Sequence, residues 1–275
     1  MLKFTTLCCT LIAFALTGAS IAHAQSARSA WDESDYSRVR LLMSPQADGA
    51  GVDGGVEIQL EPGWHTYWRV PGDAGVPPQF DFSGSLNVAD VSVNYPIPER
   101  YDDGASISVI YKDRVVFPLA IRATDPAKPV KLSLKLFYGA CADVCIPVKA
   151  SIAAAHRPGD APDPLARVAI AEFKRRLPEA PQPDFAISSV TRAPDELIIS
   201  TVVPQAEGID LFAEGPAEWF TGQPELTARS DGGATFSLSL NGVPEGARID
   251  GAFDFLLVAG RRGVLAKSVP VDRTN

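Results

Sequence analysis

VKLSLKLFYGACADVCIPV, residues 130–148, decides how this chain is built. Leu132, Leu134 and Leu136 fall on one side of the run, and Lys131, Ser133 and Lys135 on the other. A period of two with one apolar side describes a strand that buries one face and wets the other. The strand is expected to end near Gly139, and a second to resume at Ile146-Pro147-Val148. Cys141 and Cys145 therefore straddle a tight, hairpin-like corner. At such a corner two sulfurs come within bonding reach, with Cα atoms about 4.4–6.8 Å apart, and stay open to solvent.

The same texture extends both ways. RVRLLM (38–43), GVEIQLE (55–61) and SVIYKDRVVFPLAI (108–121) alternate or read as short buried strands, separated by Gly, Pro and Asp clusters such as RVPGDAGVPP. After residue 184 it returns in ELIISTVV (196–203), GIDLFAE (208–214), ATFSLSL (234–240), IDGAFDFLLVA (249–259) and GVLAKSVPV (263–271). Strands at this spacing predict β-sandwiches.

One segment differs. HRPGDAP (156–162) is a breaker cluster, Asp163 suits an N-cap and Pro164 the first helical position. Leu165, Ala169, Phe173 and Leu177 follow at intervals of four, as a stripe expected to pack on a domain. Lys174, Arg175 and Arg176 sit where the helix dipole favours cations, and Pro178 stops the helix. PEAPQPD (178–184) reads as a stiff connector. The expected fold class is all-β: two immunoglobulin-like sandwiches, residues 25–155 and 184–275, joined by a helix and Pro-rich linker over 156–183.

Residues 1–24 read as an export signal. Lys3 supplies the positive start, LIAFAL (11–16) lies in an apolar stretch, and Ala22-His23-Ala24 gives a small-x-small cleavage pattern. Cleavage after Ala24 would remove Cys8 and Cys9, leaving Cys141 and Cys145 as the only cysteines of an expected periplasmic product. It would also remove Lys3, taking the net charge from −8 to −9. An acidic chain without a basic stripe is a poor nucleic-acid binder. No later run approaches the roughly 18 apolar residues of a membrane-spanning helix. Nucleotide loops, Gly-x-Ser-x-Gly elbows and His-Glu-x-x-His helices do not occur in the sequence.

Three readings of the cysteine pair stand at this point. A staple closing a loop of about five residues contributes roughly 2 kcal/mol in the chain-entropy model, little for a domain of this size. A zinc site wants four ligands, and beyond the cysteines the mature chain offers only His65 and His156. Redox exchange needs an accessible pair that passes through a mixed disulfide with a partner, and no metal or organic cofactor.

GWHTYWRVPGDAGVPP (63–78), IYKDRVVFPL (110–119) and YGACADVCIPV (138–148) together resemble the N-terminal periplasmic domain family of the thiol:disulfide interchange protein DsbD. Within that family the stretch resembles the periplasmic part of the copper-sensitivity suppressor ScsB. The resemblance covers about residues 36–152, with a looser match through LFAEGPAEWF (211–220). It implies an immunoglobulin-like sandwich with Cys141–Cys145 as a redox disulfide. It also implies a membrane-bound thiol reductase or thioredoxin-like domain as electron donor. The acceptor would be a periplasmic disulfide isomerase or other disulfide protein, with links to cytochrome c biogenesis or copper tolerance. Members of the family shield the pair with a cap loop of acidic and aromatic residues. The resemblance places Asp102 and Asp103 in that loop, with Gly104 and Ala105 where its aromatic pair would be and Tyr101 the nearest aromatic. The chain runs to Asn275 without the family's membrane conduit, so a separate membrane protein is expected to reduce it.

Tyr67, Trp68 and Tyr138 are either docking aromatics beside the pair or core residues of the sandwich. His65 could accept a proton from a thiol, though alternation points to a surface position. Arg69 and Asp73 are expected to pair across the PGDAG loop, and Pro77-Pro78 to fix an edge or turn. The sequence thus predicts a thiol:disulfide exchange protein. The alternative is a non-catalytic exported binding module with a structural disulfide.

Overall fold

The computed structural model describes residues 27–46 and 51–272, and the expected leader lies outside the described residues. The first strands in chain order are β1 (Asp32–Glu33), β2 (Ser37–Pro45), β3 (Val52–Leu60), β4 (His65–Gly72), β5 (Gln79–Asp81) and β6 (Val88–Val93). They are followed by β7 (Glu99–Asp102), β8 (Ile107–Lys112), β9 (Arg114–Ala123), β10 (Val130–Cys141) and β11 (Cys145–His156). One sheet runs β1-β2-β3-β9-β6 and the facing sheet β11-β10-β4-β8-β7, with β5 on the free edge of β10. The stretch 108–121 breaks at Asp113, whose φ of +56° turns the chain from one sheet to the other.

The alternation read from residues 130–136 holds: Val130, Leu132, Leu134 and Leu136 are buried between the sheets, and Tyr138 and Ala140 continue the row. Opposite them Phe117 on β9 receives Phe80, Tyr95 and Tyr111 edge-on, at ring separations of 5.5, 5.3 and 5.4 Å. Such pairs add to the stabilisation from burying the rings themselves. The Glu57 carboxylate is also buried, and accepts from Arg40 Nε at 2.6 Å and Arg114 Nε at 2.7 Å. Burial pushes its pKa up, but the hydrogen bonds and charges of Arg114 and Arg40 outweigh that and hold it below the usual carboxylate range.

Helix α1 (Pro164–Lys174) packs on this sandwich. Asp163 caps it, its Oδ1 accepting from the Leu165 and Ala166 amides at 2.9 and 3.0 Å. The buried face is Ala166, Ala169, Ile170 and Phe173, so Ala169 and Phe173 of the expected stripe are buried, while Leu165 is 62 % exposed and Leu177 lies past the helix end. A strict four-residue interval drifts around a helix of 3.6 residues per turn, whereas alternating steps of three and four stay on one side. Arg114 ties the helix down by also donating to Glu172, at 3.0 Å.

The second half comprises β12 (Ala186–Arg192), β13 (Glu196–Val202), β14 (Ile209–Glu214), β15 (Glu225–Ser230), β16 (Gly233–Ser239), β17 (Asp254–Ala259) and β18 (Arg262–Ala266). These form a β12-β13-β16-β15 sheet and a β14-β17-β18 sheet around a second cluster that includes Phe185, Phe236, Phe253 and Phe255. The regions 249–259 and 263–271 contribute shorter strands than expected.

The two sandwiches meet along a packed seam. Phe212, Leu256 and Val258 join the first core, and Phe212 lies against Trp68 with ring centroids 5.9 Å apart. Arg100 holds Asp210 at 2.7 Å and also donates to the Leu211 and Pro224 carbonyls, each at 3.0 Å. Arg69 pairs with Glu214 at 2.7 Å and lies over the Trp68 ring. Asp73 instead accepts from the Ile107 amide at 2.9 Å. The expected Arg69–Asp73 pair is therefore replaced by a bond across the seam and a bond within the loop.

Candidate functional site

β10 and β11 stay paired up to their last residues, so Cys141 and Cys145 face each other in register across a three-residue loop. The Ala142 amide closes that loop on the Val144 carbonyl at 3.0 Å. The two sulfurs form a disulfide, with Cα atoms 4.1 Å apart. Their surroundings differ. Cys141 is 2 % exposed, whereas Cys145 is exposed, flanked by Val144 (59 %) and Ile146 (37 %).

The pair lies on the outward face of its sheet, away from the sandwich core. Side chains alternate along a strand. Thr66 and Trp68 on β4 are accordingly buried on the core side, while His65 and Tyr67 share the outward face with Cys141. Cys141 opposes His65 in register, and His65 in turn opposes Lys112 on β8. Tyr67, Ile110 and Cys141 form a small cluster of their own, with Tyr101 packed against it. The Tyr67 hydroxyl reaches to within 3.6 Å of Cys145 Sγ. Its ring meets His65 edge-on with centroids 5.3 Å apart, and Tyr101 lies 5.2 Å from His65 on another side.

The loop after β4, PGDAGVP, roofs this cluster. Its Gly75 has φ +140°, and a Cβ there would come within 2.4 Å of the Tyr67 ring. Val76 accepts from the Gly139 amide at 3.3 Å. Gly139 is tightly packed too, since a Cβ would sit 3.3 Å from Cys141 Sγ and 3.1 Å from Val76. The Asp73 amide donates to the Ile107 carbonyl at 2.9 Å and the Ser108 hydroxyl to the Ala74 carbonyl at 3.2 Å, fastening the loop to β8.

Of the expected cap residues, Asp102 ends β7 and Asp103 follows it. Asp102 Oδ1 accepts from the Gly104 amide at 2.7 Å, and Asp103 Oδ1 from the Ala105 and Ser106 amides at 2.9 and 2.8 Å. These bonds, Ala105 foremost, hold the Asp103 carboxyl below its ordinary pKa. Both aspartates are exposed and spend oxygens on forming the turn. Tyr101 supplies the aromatic at the cluster.

Of the three aromatics weighed as docking or core residues, only Tyr67 lies at the disulfide. Trp68 is 1 % exposed at the seam, and Tyr138 is fully buried, its hydroxyl 2.8 Å from Ser37 Oγ. His65 is a correction: alternation gives its face rightly, but the residue is 6 % exposed because neighbouring rings and loops cover that face. Burial and then the Lys112 charge push the imidazole below its ordinary pKa, with Asp103 pulling the other way. Burial, aided by Asp103, pushes the Tyr67 phenol up.

Residues 38–156 match the family model described as thiol:disulfide interchange protein DsbD, N-terminal. The chain is also similar to the crystal structure of the N-terminal periplasmic domain of ScsB from Proteus mirabilis. That similarity has a TM-score of 0.70 at 22 % identity, and covers 89 % of this chain and 99 % of that one. No curated protein matches. The Cys-x3-Cys spacing itself is not the motif of the DsbD family. Among the described residues no helix is long and apolar enough to cross a membrane. The chain thus matches the DsbD N-terminal family over residues 38–156 and has a nearly all-β, immunoglobulin-like fold.

Proposed function

We propose that the chain is a periplasmic thiol:disulfide exchange protein whose reaction runs through Cys141 and Cys145. The observation that carries the reading is the asymmetry of the pair: one cysteine exposed at a hairpin tip, the other buried beneath a loop. A partner thiolate can approach only an exposed sulfur, so Cys145 forms the mixed disulfide and Cys141 is the leaving and resolving thiol. Tyr67, Tyr101 and the exposed Val144 and Ile146 make the surface a partner meets. The family match supports a membrane-bound thiol reductase or thioredoxin-like domain as donor, and a periplasmic disulfide isomerase or other disulfide protein as acceptor. Asp102 and Asp103 act as a cap turn whose shielding aromatic is Tyr101.

Two measurements test the reading. The reduction potential of the pair should lie above about −300 mV, the region below which structural disulfides fall. Cys141→Ala should trap a partner on Cys145 in periplasmic extract, and Cys145→Ala should trap far less. A potential in the structural range, with no trapping by either variant, would leave the disulfide as a staple in a binding module.

A further inference from the structure

We infer that His65 is the base that takes the proton from Cys141 when the disulfide closes, and gives it back when the disulfide opens; this rests on the exchange reading above. Residues opposed in an antiparallel pair carry Cβ atoms about 4.5–5.5 Å apart on one face. Cys141 and His65 are such a pair, so the imidazole is the titratable group across the strand from the buried sulfur. A thiol in apolar surroundings resists ionisation. Cys141 sits among Tyr67, Ile110 and Gly139 at 2 % exposure and needs a nearby acceptor.

The groups facing His65 favour that role. Lys112 opposes it from β8, itself 3.8 Å from Glu99, and its charge favours the neutral, proton-accepting imidazole. Tyr67 on its own strand and Tyr101 on β7 pack against it, and Asp103 acts from the turn beyond. Asp103 is a poor base, since two backbone amides already occupy its Oδ1 and lower its pKa. Its part is electrostatic, steadying the imidazolium once formed.

The Cys145 thiolate attacks an acceptor disulfide, whose bond breaks and whose first sulfur leaves as thiolate. Cys141 then passes its proton to the imidazole, and the Cys141 thiolate attacks Cys145 Sγ. The intrachain bond forms, the mixed disulfide breaks, and the acceptor's second sulfur departs as thiolate and is protonated. Two electrons have moved from the pair to the acceptor. In the reverse direction a donor dithiol attacks Cys145, and the imidazolium protonates the leaving Cys141.

The test uses the reduced full chain and dithiobis(nitrobenzoate), an aromatic disulfide that releases one chromophore when Cys145 attacks and a second when Cys141 closes the bond. His65→Phe should leave the first release unchanged and slow the second on the order of 10²-fold. It should also replace an inflection below the ordinary histidine value by the rise of a free thiol. His65→Gln, which keeps a polar side chain, should do the same if the phenyl ring perturbs the fold. Lys112→Met should move the wild-type inflection to higher pH, and Asp103→Asn to lower pH. An unchanged second release in both His65 variants overturns the assignment while exchange itself stands. Absence of any second release in the wild type instead overturns the exchange reading, and this inference with it.

Discussion

The two faces of β10 do different work. Inward, Val130, Leu132, Leu134, Leu136, Tyr138 and Ala140 join one continuous core with both sheets and α1. Outward, Cys141 belongs to a cluster whose other fully buried members are Tyr67 and Ile110, covered by a loop rather than a sheet. One backbone thus serves a face that fixes the shape and a face that can open. Local opening free energies follow buried apolar contact, so the roofed face is the one that can uncover a sulfur without unfolding the sandwich.

The sharpest way to break this comparison is to remove a ring from the inner face. Phe117→Ala deletes the centre of three aromatic contacts in a fully buried site and should cost about 3–5 kcal/mol in denaturant unfolding. A loss under ~1 kcal/mol would mean that the core does not set the shape as argued.

Next is the buried charge. Glu57→Ala leaves Arg40 and Arg114 facing a void, and should cost near the lower end of ~3–5 kcal/mol because both arginines keep some solvent. The pH dependence carries a sign. The Glu57 pKa is lowered in the folded state, so its contribution is present above the ordinary carboxylate value and fades as pH falls through the folded value. The wild type should lose stability over that acid range more steeply than Glu57→Ala, as followed by thermal unfolding.

On the outward face the effects shrink. Replacing Cys141 and Cys145 together by alanine opens a loop of about five residues, and should cost about 2 kcal/mol or less with unfolding still cooperative. If the double variant loses cooperative unfolding, the disulfide is a staple and the two faces are not separable.

The same division explains what the sequence made legible. Leu132, Leu134 and Leu136 announced a strand because a sheet core imposes a strict period of two, and the cysteine hairpin was visible at its end. The helix start was legible from Asp163-Pro164, where local hydrogen bonding decides. Its buried face agrees with the expected stripe at Ala169 and Phe173 but not at Leu165, since packing on β9 selects Ala166 and Ile170 instead. His65 was placed on the right face with the wrong exposure, because its cover comes from a loop and from rings on other strands. Gly75 and Gly139 carried the sequence signal for that cover: at Gly75 the Tyr67 ring leaves no room for a Cβ, and at Gly139 a Cβ would be tight against Val76 and Cys141. Arg69 found Glu214 rather than Asp73 because the partner lies 145 residues away across the seam.

The smallest expected effect on stability separates the two titratable neighbours of the pair. Tyr67→Phe removes a hydroxyl 3.6 Å from Cys145 Sγ, and sulfur is a weak hydrogen-bond partner. Unfolding free energy should change by less than ~1 kcal/mol. The initial attack of Cys145 on a small aromatic disulfide should nevertheless change a few-fold, since that hydroxyl is placed to steady the Cys145 thiolate. The phenol's pKa is raised above 10.0, so the hydroxyl stays protonated across the neutral range and its removal should scale the rate without altering the shape of the pH profile. An imidazole beside Cys141, its pKa held below the ordinary histidine value, titrates far below the phenol and must alter the shape. Rate–pH curves for Tyr67→Phe and His65→Gln therefore distinguish a fixed donor at the exposed sulfur from a proton carrier at the buried one. If removing the Tyr67 hydroxyl bends the profile as removing the imidazole does, the two sulfurs share one proton network and the division of labour between them fails.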